Sequence, residues 1–583
     1  MLMTIEKTST KAGTGTSRTL GIFLVVIVVV LGAWEGWYTR TDYTTDAISY
    51  LDIIRAIPHW DWKLMLNPQW SIGYPLLVAL IRPLFPAGPF GEWNALHALN
   101  LLIYTATYFA FLFFLRTAAS DPDISLQPDK SSRQEFLLIA GTCIFLCTEL
   151  CMDAASRVGP DTLVTCLFFL AVTLIVRILR QPRLSLALLL GVVLGAAYWT
   201  KAIFLPLSIV LLLVAAYGLW RNKKSFALLP LTVIVLAAFV IPYAAGLSWV
   251  MGRFTLGEAG SLNYAFHVNH IPHWVHWHGG PAGYGMPIHP SRMLMDDPPL
   301  FEFGEPFHTT YPPFGSLAYW YEGYHHFFSI KWQVRVAIGN TGRLILLLVT
   351  QPITYAFAAC VALMFLAERD WRKWLSRMLH YWPFIIPALV GICLYITVHL
   401  EGRYVASFLT VLAALPFVAF CASTPQITQR LRTSLLVILI LGTAANLLVV
   451  DREAVTAALH HRRYTDNPQW VLGAYLKQSG LKPGDKVAGI SYGPNARATW
   501  ASIDGARMVA EIGNDAYDAT HPNPDSWYRF WHVSPATQQQ ALSLFKQAGA
   551  VVVVTDTKDP KVTPPGWIHV GNTDYWIYWL RDN

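Results

Sequence analysis

Asp46 and Tyr50 stand four residues apart in the run Thr44-Thr45-Asp46-Ala47-Ile48-Ser49-Tyr50-Leu51-Asp52-Ile53-Ile54-Arg55. In a helix that spacing puts both side chains on one face. Thr44 or Thr45 is a suitable N-cap, so Asp46 falls in the first turn, where the positive end of the helix dipole favours a carboxylate. Asp161 follows Gly159-Pro160, Lys201 follows Trp199-Thr200, and Glu401, Arg403 and Tyr404 share a tight turn between two apolar runs. Carboxylates so placed can move protons, and cations can hold an anion as its charge develops. Each residue also has a plainer reading. Asp46 could simply cap its helix, and the others could be side chains snorkelling to a membrane interface. What sets the group apart is its position at the ends of apolar runs, where ionisable groups are costly and usually functional.

The elements that must position these residues are membrane spans. Of 583 residues 54% are hydrophobic and 14% charged, against about 25% charged in soluble chains, and the mean hydropathy is +0.39. Disordered, collagenous and disulfide-rich classes are excluded, and so is an ordinary cytosolic enzyme. A spanning helix needs about 20 mostly apolar residues. The runs that qualify are 19–37, 93–116, 135–151, 161–179, 184–200, 202–220, 225–247, 343–367, 382–399, 403–421 and 433–450. The first follows Lys7, Lys11 and Arg18 but lacks a small-residue cleavage site, so it reads as an uncleaved anchor.

Orientation follows from the basic residues of the short loops. With the N-terminus in the cytoplasm, the cytoplasmic connections hold Arg116, Lys130 and Arg133; Arg177, Arg180 and Arg183; Arg221, Lys223 and Lys224; Arg369, Arg372, Lys373 and Arg377; Arg430 and Arg432. The opposite short turns hold only Arg157, Lys201 and Arg403. The net charge of +7 is thereby explained as topology, and no nucleic-acid partner is expected. The expected location is the inner (cytoplasmic) membrane, with the C-terminal domain on the periplasmic, extracytoplasmic side.

Three long segments then fall outside: 38–92, 248–342 and the stretch after 451. In the first, Ile48, Leu51 and Ile54 form a stripe suited to a membrane surface, and Gly73–Phe85 is an amphipathic piece too short to span. The last stretch reads as a small α/β unit. Helices are expected over 468–479 and 536–548, strands over Lys486–Tyr492 and Val551–Thr555, and a closing strand pair over Trp567–Leu580. The resulting division is a membrane domain, 1–454, and an extracytoplasmic α/β domain, 455–583. Gly191–Gly195 sits inside an apolar run and reads as helix packing. The seven cysteines are odd in number and confined to apolar runs, so no disulfide framework is implied. Cys143, Cys147 and Cys151 share a helix face, for which packing is the better reading.

The 248–342 segment holds nine of the 18 histidines, including His267, His270, His273, His276 and His278. Their spacing matches no zinc template, and no metal ligand is assigned. The segment reads instead as a lid, with Trp274, Trp277, Trp320 and Tyr321 stacking on a substrate or resting in the interface.

The order of these features resembles the glycosyltransferase C (GT-C) superfamily. It runs from a first span through Asp46-x-x-x-Tyr50 and an amphipathic helix to Pro160-Asp161, Thr200-Lys201, Gly402-Arg403-Tyr404 and a C-terminal outer domain. The closest likeness is to bacterial members similar to protein O-mannosyltransferases and lipid A aminoarabinose transferases. The fold expected is a GT-C-like α-helical membrane protein of about eleven spans with the small C-terminal α/β domain. The family often has an acidic pair in the first loop. Here Ala47 follows Asp46, so a single acid must suffice, which counts against a protein-mannosylating role.

The resemblance implies a sugar donor on a polyprenyl phosphate, a glycan, lipid or protein acceptor, and transfer with inversion. It implies Asp46 as general base, with Asp161 positioning the acceptor or sharing that role. Arg403 and Lys201 become the donor-phosphate ligands with Arg55 in reserve, and Tyr50, Glu401 and Tyr404 line the substrate site. No cofactor is required. Superfamily members that use a divalent cation exist, but that reading is not the favoured one here. The competing classes are a secondary transporter, for which an internal repeat would be the sign, and a non-catalytic cell-envelope assembly protein.

Overall fold

A computed structural model describes every residue except 1–2, 42–43, 121–123, 125–128, 154–156, 272–275, 277–284, 286–287, 289–290, 305–308, 369, 425, 451, 461–465, 492–493, 514–527, 557–565 and 582–583. For 3–17, 453 and 494–497 it describes the backbone alone. The chain divides into two compact units. The first comprises Met1–Arg40, His97–Ala245 and Gln333–His460; the second comprises Thr41–Leu96, Gly246–Trp332 and His461–Asn583.

The expected class holds: the protein is mostly helical, with a smaller strand-containing region. Among the described residues seven helices are long and apolar enough to cross a bilayer: Arg18–Tyr38, Pro89–Ala119, Asp161–Arg180, Phe204–Arg221, Leu229–Met251, Gly402–Ser423 and Gln429–Val450. Two bent pairs raise the count to nine. The 343–367 run is one of them. It does not form one rod, because Ile330–Val349 and Pro352–Ala367 meet at 82°. Pro352 opens the second helix and Gln351 before it is extended, as the residue preceding a proline tends to be. The 382–399 run is the other, where Trp371–His380 meets Trp382–Ile396 at 74°. The two remaining runs also form helices. Leu184–Thr200 is a short one, and 135–151 is Lys130–Phe145 continued by a π-helical turn at Leu146–Leu150.

In the first unit Gly402–Ser423 is central, with 78% of its most apolar window buried, whereas Gln429–Val450 has 22% and exposes Leu441 and Leu448. An apolar helix that exposes leucines suits lipid as its neighbour. Gly191 and Gly195 are packing glycines. A Cβ at Gly191 would lie 2.8 Å from Thr232 O, and one at Gly195 would lie 2.4 Å from the Phe239 ring. Only hydrogen lets those helices approach so closely. Arg133 is fully buried, and its guanidinium donates to the carbonyls of Cys421 (2.5 Å) and Thr424 (2.8 Å) at the end of the central helix. None of the seven cysteines is in a disulfide, and Cys143 and Cys147 are buried.

The second unit is built on a seven-stranded sheet. Its strands are β1 (Arg292–Met295), β2 (Leu300–Glu302), β3 (Lys486–Ser491), β4 (Arg507–Gly513), β5 (Val552–Thr555), β6 (Ile568–His569) and β7 (Trp576–Trp579), in the order β1-β2-β4-β3-β5-β7-β6. The C-terminal helices and strands expected from sequence are present at Pro468–Gln478, β3, Pro535–Gln547, β5 and the β6–β7 pair. β3 pairs in parallel with both β4 and β5. The sheet does not end with the C-terminal stretch: β2 adds to β4 with Phe301 opposite Glu511. The 248–342 segment therefore contributes two strands to it.

The Ile48, Leu51 and Ile54 stripe departs from its expected surface role, since all three side chains are buried. Ile48 belongs to a core with Phe303, Tyr311, Phe314, Leu472 and Trp500. The helix Thr45–Ala56 is covered by residues around 310–315, and its Asp52 carboxylate accepts from Thr310 N–H (2.9 Å) and Thr310 Oγ1 (2.7 Å). Burial pushes the Asp52 carboxyl up to about 6, against the pull of Arg55. Trp320 and Tyr321 also pack inside this unit, Trp320 donating to Pro313 O (2.6 Å) and Tyr321 to Glu258. His273, His278, Trp274 and Trp277 lie outside the described residues.

Candidate functional site

In the first unit the structure gathers five of the residues singled out from sequence. Asp161 opens the helix Asp161–Arg180, Lys201 caps the end of Leu184–Thr200, and Glu401 is the N-cap of Gly402–Ser423. Carboxylates thus stand at helix N-termini and the lysine at a C-terminus, the arrangement the helix dipoles favour.

The centre of the cluster is Asp161, whose side chain is 5% exposed. Lys201 Nζ donates to its Oδ1. Arg403 Nη1 lies 3.4 Å from its Oδ2. Arg403 also donates through Nε to Glu401 Oε2 (2.6 Å) and through Nη2 to Tyr404 Oη (3.1 Å). The Lys201 ammonium sits 4.0 Å from the Tyr404 ring centroid, a cation–π distance. Tyr395 stacks on Tyr404 at 4.9 Å and fixes the ring. Two cations are thereby aimed by two carboxylates and a tyrosine, and neither can swing freely.

The Glu401 carboxyl is held low. Burial works to raise it, but the hydrogen bond from His399 Nε2 to Oε1 (3.1 Å) and the Arg403 guanidinium outweigh that and bring it to about 2.

Sequence reasoning missed two acids here. Asp153 is 1% exposed and accepts from Thr162 Oγ1 (2.8 Å). Burial, and then the neighbouring Asp161 charge, push its carboxyl well above the usual carboxylate range. Glu149 is fully buried in the π-helical turn, and its Oε1 accepts from Thr410 Oγ1 (2.8 Å). A signal existed for both: each is an acid within or directly after an apolar run. Single-turn π bulges also recur at functional sites.

Asp46, Tyr50 and Arg55 belong to the second unit. Thr44 is the N-cap of their helix, accepting from Ala47 N–H (3.4 Å), and Asp46 lies half-buried in the first turn. Tyr50 is buried edge-on against Trp70 (5.3 Å) and Tyr74 (5.6 Å). Arg55 makes a two-pronged pair with Glu92 (3.1 and 2.6 Å) and donates to Ser502 O (2.8 Å). Among the described residues no group of three His, Cys, Asp or Glu is arranged to hold a metal ion.

No protein-family model and no curated protein matches the sequence. Solved structures similar to this chain include ArnT from Cupriavidus metallidurans in the apo state, 13% identical, covering 95% of this chain and 97% of that one with a TM-score of 0.48. Its form bound to undecaprenyl phosphate is 12% identical over the same shares, with a TM-score of 0.49. The oligosaccharyltransferase from Archaeoglobus fulgidus in the apo form is 11% identical, covering 92% of this chain and 69% of that one, with a TM-score of 0.44.

Proposed function

We propose that this chain is an inverting membrane glycosyltransferase. It moves a sugar from a polyprenyl-phosphate donor to an acceptor hydroxyl at the outer face of the inner membrane. The observation that carries the reading is the cluster at Asp161, in which Lys201 and Arg403 are held ready at the ends of apolar helices. A donor with a polyprenyl tail stays in the bilayer and presents its phosphate at such a level.

In the transfer, the acceptor oxygen bonds to the anomeric carbon while the bond from that carbon to the phosphate oxygen breaks. The electron pair leaves on the polyprenyl phosphate, and the acceptor proton passes to Asp46. Lys201 and Arg403 stabilise the charge that grows on the leaving phosphate, Arg403 through its fork of donors. Asp161 and Glu401 act as positioning residues for these cations. Tyr404 keeps the ammonium and the guanidinium on one side of its ring. Arg55, engaged with Glu92 and Ser502, serves the second unit's own structure, and no donor role is proposed for it. Neither the deprotonation of the acceptor nor the departure of the phosphate requires a cofactor in this scheme.

Deleting the gene and comparing glycolipids and glycoproteins by mass spectrometry tests the reading. One sugar should be missing, and wild-type protein should restore it while Asp161→Asn should not. An unchanged glycan profile would remove the proposal.

A further inference from the structure

We propose that the first unit holds an anionic phospholipid in a groove between the helices Arg18–Tyr38, Pro89–Ala119 and Lys130–Phe145, at the end of the bundle opposite the Asp161 cluster. Nothing in this site depends on the transferase reading.

The position follows from one helix. Asp161–Arg180 begins in the Asp161 cluster and ends at Arg180, whose Nη1 donates to the carbonyl of Thr117 (2.8 Å), the residue next to Arg116. Its 20 residues span about 30 Å, the thickness of a bilayer's hydrocarbon core. Arg116 therefore stands a membrane's width from Lys201 and Arg403, on the side that the loop charges assign to the cytoplasm. A lipid bound there belongs to the other leaflet and is neither donor nor acceptor in the transfer.

The groove has its origin in the packing of the first span. In its middle this span lies tightly on Pro89–Ala119: Val28 is fully buried, and a Cβ at Gly32 would lie 2.6 Å from the Tyr104 ring. Toward Arg18 the helices part, and a Cβ at Gly21 would meet nothing within 4 Å. The space left between them is a cavity of about 680 Å³. Its floor is Leu112, Leu115 and Leu137, all buried, and its flanks are Ile22, Val26 and Phe109, each more than half exposed. An apolar trough of this kind, open toward the bilayer, suits an acyl chain.

The mouth decides which lipid. Arg18, Arg116 and Gln134 line it and are exposed. None of these three side chains has a hydrogen bond or ion pair among the described residues. Other basic residues at this end are spent on helix carbonyls. Arg133 donates to Cys421 and Thr424, Arg180 to Thr117, and Lys224 to Leu179 (2.7 Å). Among the described residues that line the cavity none is acidic. Two guanidiniums sharing one groove without a counter-charge repel each other until an anion lies between them. Phosphate matches the guanidinium fork, and basic pockets between spans on the cytoplasmic side suit anionic headgroups. A phospholipid with a net negative headgroup satisfies both parts at once, its phosphate at the arginines and a chain in the trough.

The test uses the full-length protein in phosphatidylcholine nanodiscs with and without phosphatidylglycerol, read by native mass spectrometry after release. Wild type should retain phosphatidylglycerol in preference to phosphatidylcholine, and should melt at a higher temperature with it, because a ligand of the folded state stabilises that state. Arg18→Gln and Arg116→Gln should each lower the retention about 10-fold, the scale of one charge-assisted hydrogen bond. Both should fold normally, since neither side chain supports another group. Gly21→Leu keeps both charges but fills the trough, and it should lower retention as well. Losses in the arginine variants with full retention in Gly21→Leu would make the arginines mere surface charge and overturn the groove. Full retention in the arginine variants, or equal retention of the two lipids by wild type, overturns the proposal outright. Displacement of phosphatidylglycerol by inorganic phosphate alone assigns the mouth to a soluble anion and overturns the lipid source. A dimer that Gly21→Leu abolishes, with no preference between the lipids, gives the groove to a second copy of the chain and overturns it too.

Discussion

The Arg403 guanidinium stands 3.4 Å from Asp161 Oδ2, facing the carboxylate oxygen that Lys201 leaves open. One acid thus sets the aim of two cations drawn from two other helices. On the proposed mechanism, removing Arg403 costs a phosphate ligand as well as one of the two partners of Glu401. Arg403→Ala should raise KM for the donor and lower kcat, together by ~100-fold or more. Arg403→Lys should recover little, because an ammonium cannot span Glu401, Tyr404 and Asp161 at once. Steady-state kinetics with a polyprenyl-phosphate sugar would check this; near-wild-type values for the alanine variant would end the phosphate role.

Thr44 caps the Thr45–Ala56 helix and Asp46 does not, which separates stability from chemistry along one turn. Thr44→Ala should cost about 1 kcal/mol of stability. Asp46→Asn should leave the melting temperature in place and cut turnover by at least ~100-fold, the scale of a lost general base. Normal sugar transfer by Asp46→Asn would refute the base assignment.

Two carboxyls set opposite pH dependences. Glu401 titrates at about 2 in the folded protein, below the ~4.3 of an unfolded chain. Its contribution to stability is present above ~4.3 and fades as pH falls toward 2. Asp504 titrates at about 7 when folded, above the unfolded ~3.9. Its contribution is present below ~3.9 and is lost as pH rises through 7. Melting curves across pH should show Glu401→Gln flattening the acid limb and Asp504→Asn flattening the limb between pH ~4 and ~7.

Gly195 is a contact point between helices, since a Cβ there would lie 2.4 Å from the Phe239 ring. Gly195→Ala should destabilise by about 1–3 kcal/mol, the usual scale of overpacking. Gly21, which has nothing within 4 Å, is the control. Gly21→Ala should be neutral in a thermal unfolding assay in detergent.

The loop charges predict that the connection holding Lys223 and Lys224 is cytoplasmic and the C-terminus outside. Reporter fusions after Lys224 and after Asn583 should report opposite sides. The same side for both would mean that the span count is wrong by an odd number, and the face assigned to the Asp161 cluster would fall with it.

The sequence alone determined the helical membrane class, most of the C-terminal elements, and the standing of Asp161, Lys201, Glu401, Arg403 and Tyr404 at the ends of apolar runs. These rest on local rules: apolar run length, turn residues, and charges stranded at helix ends. Tertiary structure decided the rest. β1 and β2 join the C-terminal sheet through Phe301 opposite Glu511, a pairing between distant segments that no local pattern encodes. The Ile48, Leu51 and Ile54 stripe reads identically whether it meets lipid or protein. Only the packing of Phe314 and Trp500 against that core shows that it meets protein. Asp153 and Glu149 were visible as acids at an apolar run, but their burial and partners were not. Whether a buried carboxyl is raised, lowered or neutralised depends on side chains brought in from other helices, and only the fold supplies those.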